Sequence, residues 1–382
     1  MKIGITVYPT YGGSGIVGSE LGKELAKRGH SVHFISSSLP TRLTELGDKV
    51  HFHEVEMMSY PLFEHQPYTL ALATKMADVA GVEGLDLLHV HYAIPHSISA
   101  ILARESLLTD GRRRLPVITT LHGTDITLVG ADQSYLPITR YALIQSDGVT
   151  SVSRYLKRAT EEIFNFSKIE VIPNFVCGTE YNRHPSPQLR QAIADDNEKL
   201  LVHVSNFRPV KRPIDCVEIL AIVRERGIAA RLVMVGDGPV RHEASSRAQQ
   251  LGVARYCTFV GKQPNIIDYL SIADLLLLPS EHEAFGLAAL EAMACEVPVI
   301  ATSVAGIPDV VIDTECGFLS NVGDINKMSD DAIRLLSDEE MRRAMGARAR
   351  EVALERYSTD LVIPQYLKFY EKVLNRTQAA VR

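Results

Sequence analysis

Short apolar runs alternate with helix-period segments along nearly the whole chain, and this alternation limits the available folds more than any other feature. Strand-like runs stand at residues 2–8, 31–37, 50–55, 85–92, 116–122, 148–153 and 168–172. Helical patterns fill 14–28, 68–81, 97–108, 135–145 and 154–164 between them. Such βα repetition predicts a mostly parallel sheet covered by helices. The region 38–67, broken by Pro40, Pro61 and Pro67, is less regular. After Pro173-Asn174 a stretch with Gly178, Asn182, Pro185 and Pro187 reads as a connection. A second series then begins, with strands at Leu200–Phe207, Arg231–Val235, Tyr256–Val260, Asp274–Leu278, Pro298–Ser303 and Gly317–Leu319. Its helices are expected at 213–226, 240–251, 264–272, 284–294 and 324–337. The fold class is therefore α/β, two doubly wound units in tandem, expected to face each other across a cleft. In such sheets ligands bind beyond the C-terminal strand ends. Two more helical stretches, 339–355 and 359–374, close the chain, and Pro364 is expected to kink or bound the second. Its apolar stripe Val362, Tyr366, Phe369, Tyr370 and Val373 reads as packing.

Composition removes several function classes. A net charge of −6 over 382 residues gives no broad basic field for nucleic acid or for a stable association with anionic membrane. The one dense basic run, Arg112-Arg113-Arg114, sits between Asp110-Gly111 and Pro116 and reads as a solvated loop. Cysteines 177, 216, 257, 295 and 316 show no CxxC spacing, as expected of thiols in a reducing compartment. The start leads directly into a strand rather than a signal peptide, and no apolar run is long enough to span a bilayer. A cytoplasmic location is expected. Self-association is left open.

In the first unit, Tyr11-Gly12-Gly13-Ser14-Gly15 follows the first strand and precedes a helix with Val17, Leu21 and Leu25 on one face. The glycines allow close ligand approach, and free amides at the helix start favour an anion. A plain tight turn is the alternative. Gly13, Gly15 and Gly18 meet the bare G-x-G-x-x-G spacing, but the acidic partner of a dinucleotide site is missing. His89, His91 and His96 crowd the fourth strand and its exit. A metal is one reading of His89 and His91, but no Asp, Glu or Cys joins them locally. Tyr92 and His96, at the exit, are better placed for a ligand. His122-Gly123-Thr124-Asp125 ends the fifth strand, and His122 there suits hydrogen bonding to a sugar hydroxyl or a leaving group as well as a structural role.

In the second unit, Asn206-Phe207-Arg208-Pro209-Val210-Lys211-Arg212 sets three cations at a strand exit, where they can clamp a diphosphate. Gly236-Asp237-Gly238 ends the next strand similarly. The strongest local signal is the run Pro279 to Ala294. A helix starting near Phe285 would present the amides of Phe285, Gly286 and Leu287 to a diphosphate. Glu283, in its approach loop, could take sugar hydroxyls, and Glu291, two turns in, a ribose diol; a solvent-facing helix charge is the alternative for Glu291. A glycosidase pair of carboxylates is a further reading, but the anion-binding helix start between the two argues for a nucleotide-linked substrate.

The pair Glu283/Glu291 around Phe285-Gly286, with Lys211 and Gly236-Asp237-Gly238, resembles the signature of the retaining glycosyltransferases of family four, which adopt the GT-B fold. The resemblance runs over nearly the whole chain. It implies domains at 1–172, binding the acceptor, and 173–357, binding the nucleotide sugar, with a helix at 358–382 crossing back to the first. Gly12–Gly15, His91–His96, Leu121–Thr127 and Ser205–Arg208 resemble a malate-using branch that serves bacillithiol biosynthesis, and Asn206, where the family often has Arg, agrees with that branch. The resemblance implies transfer of N-acetylglucosamine from UDP-N-acetylglucosamine to the hydroxyl of L-malate, keeping the α anomer, with no metal or other cofactor. It gives Lys211 and Arg208 the leaving diphosphate, Glu283 and His122 the donor sugar, and Glu291 the ribose. Gly261 to Pro264, including Gln263, would take the uracil, with Gly15 and Gly236 also on the donor side. Gly13, Ser14, Tyr92, Thr120, Arg154 and Asn206 are the candidates for malate. Retention without an obvious carboxylate nucleophile implies a front-face displacement, with a covalent route through a side chain left open.

Three rivals remain at this level. A related transferase using inositol phosphate or another sugar would want a cationic cluster in the first domain. A nicotinamide oxidoreductase would want an acid at the end of the second strand, which reads Ile35-Ser36-Ser37-Ser38. A non-catalytic nucleotide-sugar sensor would keep the second-domain pocket and lose the acceptor site.

Overall fold

The computed structural model describes all residues except 11, 44–45, 58–66 and 382. Tyr11 and Pro61, named above, lie outside the described residues. The chain divides into two compact units, Met1–Pro173 with Val362–Arg382, and Asn174–Leu361.

The first unit is a seven-stranded parallel sheet of order β3-β2-β1-β4-β5-β6-β7. Its strands are β1 (Lys2–Thr6), β2 (Ser31–Ser36), β3 (Val50–Glu54), β4 (Leu87–His91), β5 (Val117–Leu121), β6 (Gly148–Ser151) and β7 (Ile169–Val171). The second unit is a six-stranded parallel sheet, order β10-β9-β8-β11-β12-β13. It comprises β8 (Lys199–Val204), β9 (Ala230–Val235), β10 (Cys257–Gly261), β11 (Leu275–Leu278), β12 (Val299–Thr302) and β13 (Gly317–Ser320). Helices on both faces bury the central strands completely, so β4, β5, β11 and β12 show no polar-outward alternation.

In each unit the strand order reverses beside the first strand, between β1 and β4 and between β8 and β11. A reversal leaves adjacent connections departing to opposite faces, which opens a crevice at the C-terminal strand ends. The motif loops leave from these ends: 7–10 and 92–97 in the first unit, 205–212 and 279–286 in the second.

Two expectations need correction. The helix placed at 284–294 begins at Leu287, because Gly286 occupies its N-cap at φ +94°, a left-handed conformation that cannot continue inward from Phe285. Of the two expectations for Pro364, the boundary is overturned: the last helix runs through it, from Thr359 to Val381. Its stripe packs on the first unit, with Val362, Tyr366 and Tyr370 buried. Among the described residues no helix is long and apolar enough to cross a membrane.

Candidate functional site: an anion cradle and a histidine cluster

In the second unit, three strand ends are laced together before any ligand is considered. The Gly236 amide donates to the Gly261 carbonyl at 2.8 Å, and the Val240 amide to the Phe207 carbonyl at 3.1 Å. Gly236 sits at φ +121°, and a Cβ there would lie 1.8 Å from the Ser205 carbonyl oxygen. We therefore expect Gly236→Ala to lose about 2–3 kcal/mol of stability. Thermal unfolding checks this, and an unchanged midpoint would show that the loop accommodates the methyl group.

His203, buried in β8, organises the same loop. Its Nδ1–H donates to the Leu277 carbonyl at 2.9 Å, which leaves Nε2 to accept from the Ser205 hydroxyl at 2.8 Å. Ser205 Oγ in turn accepts the Phe207 amide at 3.2 Å. Burial holds His203 neutral, its pKa lowered to about 4. Phe207 is fully buried at φ +40°, a strained conformation kept by packing and by this relay. The reading from sequence missed His203, because a histidine inside a strand looks like core and one of its two partners, Leu277, lies 74 positions along the chain.

The three cations divide their work. Arg212 is spent inside the protein, on Asp215 Oδ2 at 2.7 Å and Glu281 Oε1 at 2.9 Å. Lys211 Nζ lies 2.5 Å from Glu283 Oε1, and Ser280 Oγ donates to the same oxygen at 3.1 Å. Arg208 is exposed at the loop's outer edge, and Asn206 beside it is exposed too. The Glu281 amide donates to the Val210 carbonyl at 2.8 Å, tying the cation loop to the loop that carries Glu283.

The helix Leu287–Ala294 starts where these loops end, and its first amides have no intrahelical acceptor. The donors it adds to the cradle are thus those of Leu287 and the two residues after it, rather than a set beginning at Phe285. Phe285 is buried, edge-on to Tyr357 at 5.5 Å. Glu291 is buried, not the solvent-facing helix charge weighed above, and it accepts from the Tyr181 hydroxyl at 2.7 Å. Gln263 donates to the Val260 carbonyl at 2.6 Å, which fixes the loop after β10.

In the first unit, the helix Gly13–Lys27 begins at the glycine loop, with Gly12 at its N-cap and no side-chain cap. Gly13 is exposed with open space around it, whereas Ser14 and Gly15 are buried. The backbone at Gly13 is thus what a ligand can reach. Around β4 and β5 stands a cluster of imidazoles. His91 Nδ1 and His122 Nε2 are 2.8 Å apart, and Tyr92 lies 5.5 Å from the His122 ring. His91 Nε2 is buried without a hydrogen-bond partner. Leaving an acceptor there costs less than stranding a donor, so His91 Nδ1–H donates to His122 Nε2 and the His122 proton sits on Nδ1.

Asp125 holds the two ligand loops together. Its carboxylate accepts the Ala93 amide at 3.0 Å, the His122 amide at 3.1 Å and the Gly123 amide at 2.9 Å. Burial nevertheless raises its pKa to about 6, against those three bonds. Tyr92 is held at φ +90°, with its amide donating to the Thr120 carbonyl at 2.9 Å.

Thr120 is a correction: it cannot serve the acceptor. It is fully buried, and its hydroxyl is taken by His89 Nε2 at 2.7 Å and Thr150 Oγ1 at 2.6 Å. His89 turns its other nitrogen to the Tyr370 hydroxyl at 2.7 Å, so this histidine anchors the last helix rather than a metal. Arg154 is exposed at the first position of the helix Arg154–Phe164, where the helix dipole disfavours a cation.

The family described as Glycosyltransferase Family 4 matches residues 11–177, and Glycosyl transferases group 1 matches residues 186–352. The chain is 47% identical over 377 residues to N-acetyl-alpha-D-glucosaminyl L-malate synthase of Bacillus anthracis, covering 98% of this chain and 97% of that protein. It is 27% identical over 319 residues to a GDP-mannose-dependent phosphatidylinositol monomannoside mannosyltransferase of Mycolicibacterium smegmatis, covering 78% of this chain and 80% of that one. Among solved structures, Anabaena HepE in complex with UDP-glucose superposes with a TM-score of 0.81 at 20% identity, over 97% of this chain and all of that one. Sucrose-phosphate synthase from Thermosynechococcus elongatus gives 0.78 at 21% identity, over 98% of this chain and all of that one. These neighbours establish the GT-B fold.

Proposed function

The chain belongs to glycosyltransferase family 4, and on that premise we propose that it transfers N-acetylglucosamine from UDP-N-acetylglucosamine to the hydroxyl of L-malate, giving N-acetyl-α-D-glucosaminyl L-malate and UDP. This is the first step of bacillithiol biosynthesis, and we place it in the cytoplasm. The observation that carries the reading is 47% identity along 98% of the chain to N-acetyl-alpha-D-glucosaminyl L-malate synthase of Bacillus anthracis.

The second unit takes the donor. Arg208, Lys211 and the first amides of the helix Leu287–Ala294 receive the diphosphate. They meet negative charge that grows as the bond between the sugar C1 and the phosphate oxygen breaks, so their effect is largest in the transition state. Glu283 keeps Lys211 in place and accepts from sugar hydroxyls. Glu291, fixed by Tyr181, takes the ribose, and the Gly261–Gln263 loop the uracil. His122 supplies its Nδ1–H to the donor sugar.

The first unit takes malate. The exposed Gly13 backbone, Tyr92 and Arg154 supply polar and cationic contacts for its two carboxylates, with Asn206 of the second unit the remaining candidate. The malate oxygen bonds to C1 on the face the diphosphate leaves, and its proton passes to the departing phosphate oxygen. Bond making and bond breaking balance without an enzymic base or a metal.

UDP release tests the acceptor. With UDP-N-acetylglucosamine, L-malate should give far more release than inositol phosphate, other dicarboxylates or water. Release with inositol phosphate but not with malate would replace the acceptor and leave the donor reading intact.

A further inference from the structure

We propose that His33, His53 and Glu83 form a binding site for a divalent metal, with Zn²⁺ the best match, separate from the residues assigned to sugar transfer. Among the described residues this is the one group of three whose ligand atoms converge, all within 4.8 Å of one another.

The fold brings them together for simple reasons. Strands β2 and β3 pair in parallel with His33 opposite His51 and Ile35 opposite His53, so the three histidines share one sheet face. Glu83 is the last residue of the helix Tyr68–Glu83. The negative end of that helix favours a cation beside it.

The ring geometry suits ligation. His33 Nε2 lies 3.0 Å from the Ser31 hydroxyl, and Nδ1 lies 3.0 Å from His53 Nε2. A hydrogen bond on the far nitrogen is what orients a metal-ligating imidazole. With Ser31 accepting from His33 Nε2–H, the Nδ1 lone pair faces the other two ligands and, without metal, accepts from His53 Nε2–H. Metal entry moves that proton to His53 Nδ1, so two neutral imidazoles become ligands without releasing a proton.

Two imidazoles and one carboxylate with an open position are a donor set that Zn²⁺ accepts, with bonds of about 2.0–2.2 Å. The ligand atoms, within 4.8 Å of one another, would draw in to about 3.4 Å around a tetrahedral ion, and Glu83 and His53 are part-exposed. Exposed His51 is stacked on His33 with ring centroids 4.6 Å apart. The bound metal would join β3, the edge strand of its sheet, to the end of the helix that follows it.

Calorimetric titration of Zn²⁺ into the metal-free full chain tests the proposal, alongside His53→Ala and Glu83→Gln. Circular dichroism and transferase activity without added zinc show that each variant is folded. One site per chain is expected, with affinity reduced at least about 10-fold in both variants. No binding by the unaltered chain at micromolar zinc, or unchanged affinity in the Glu83→Gln variant, would overturn it.

Discussion

Replacing Lys211 with alanine should lower turnover by about 100- to 1000-fold, the usual cost of losing one preorganised charge-stabilising donor. The Lys211 ammonium sits 2.5 Å from Glu283 Oε1, on a loop fastened to the neighbouring loop through Val210 and Glu281. Its position is therefore set before substrate arrives, and little reorganisation is needed when the diphosphate takes up charge. Because that charge grows along the reaction, kcat should fall much more than KM for UDP-N-acetylglucosamine rises. The side chain is part-exposed and its removal leaves no apolar cavity, so circular dichroism and the unfolding midpoint should stay near those of the unaltered chain. A folded Lys211→Ala variant with normal kcat would remove this lysine from the mechanism.

The second large effect is on stability toward acid. His89, His91, His96 and His122 of the first unit are all held neutral, chiefly by burial. Their pKa values fall to about 3 for His89 and His122, about 4 for His96 and well below the usual value for His91. In the unfolded chain the same side chains titrate near 6.5. Each contribution is thus fully present above pH 6.5 and is lost as the pH falls from 6.5 toward the folded values, because only the unfolded chain takes up the proton. One pH unit below 6.5 costs each imidazole held neutral about 1.4 kcal/mol, and the cluster on the order of 5 kcal/mol by pH 5.5.

Asp125 works in the opposite direction. Its pKa is raised to about 6, so its contribution is present below the ordinary carboxylate range and lost as the pH rises through 6. Acidification returns part of that contribution, which four histidines outweigh. In the second unit His203 is the counterpart, with its pKa lowered to about 4. Urea unfolding at pH 7.5 and 5.5 should show a loss comparable to a domain's whole stability. Equal stability at the two values would mean that the cluster is already protonated or hydrated in the folded chain.

The architecture was readable because each strand is a short apolar run and each crossover a helix-period segment. Leu275–Leu278 lies under helices on both sides, and a wholly apolar tetrad announces that position. The same burial on two faces hid what happened to Thr120. With no alternation to show which way a side chain points, a threonine at a strand end looks ready for a ligand, although it is enclosed by His89 and Thr150.

The cation loop and the Glu283–Glu291 run were legible as local patterns. Their internal division of labour was not. That Arg212 serves Glu281 as well as its neighbour Asp215, while Lys211 serves Glu283, depends on which residues the 205–212 loop meets 69 and 72 positions further along the sequence. The Tyr181–Glu291 bond spans 110 positions and left no periodic trace. Asp125 was visible as one letter of His122-Gly123-Thr124-Asp125. Its function of fastening Ala93 to His122 and Gly123 required the two strand ends to be adjacent.

A crystal structure of the chain with UDP bound tests the donor seat most directly. The diphosphate should lie at the N-terminus of the helix Leu287–Ala294, within hydrogen-bonding distance of its first amides and in contact with Arg208 and Lys211. UDP bound away from that helix, with Arg208 and Lys211 untouched, would contradict the assignment.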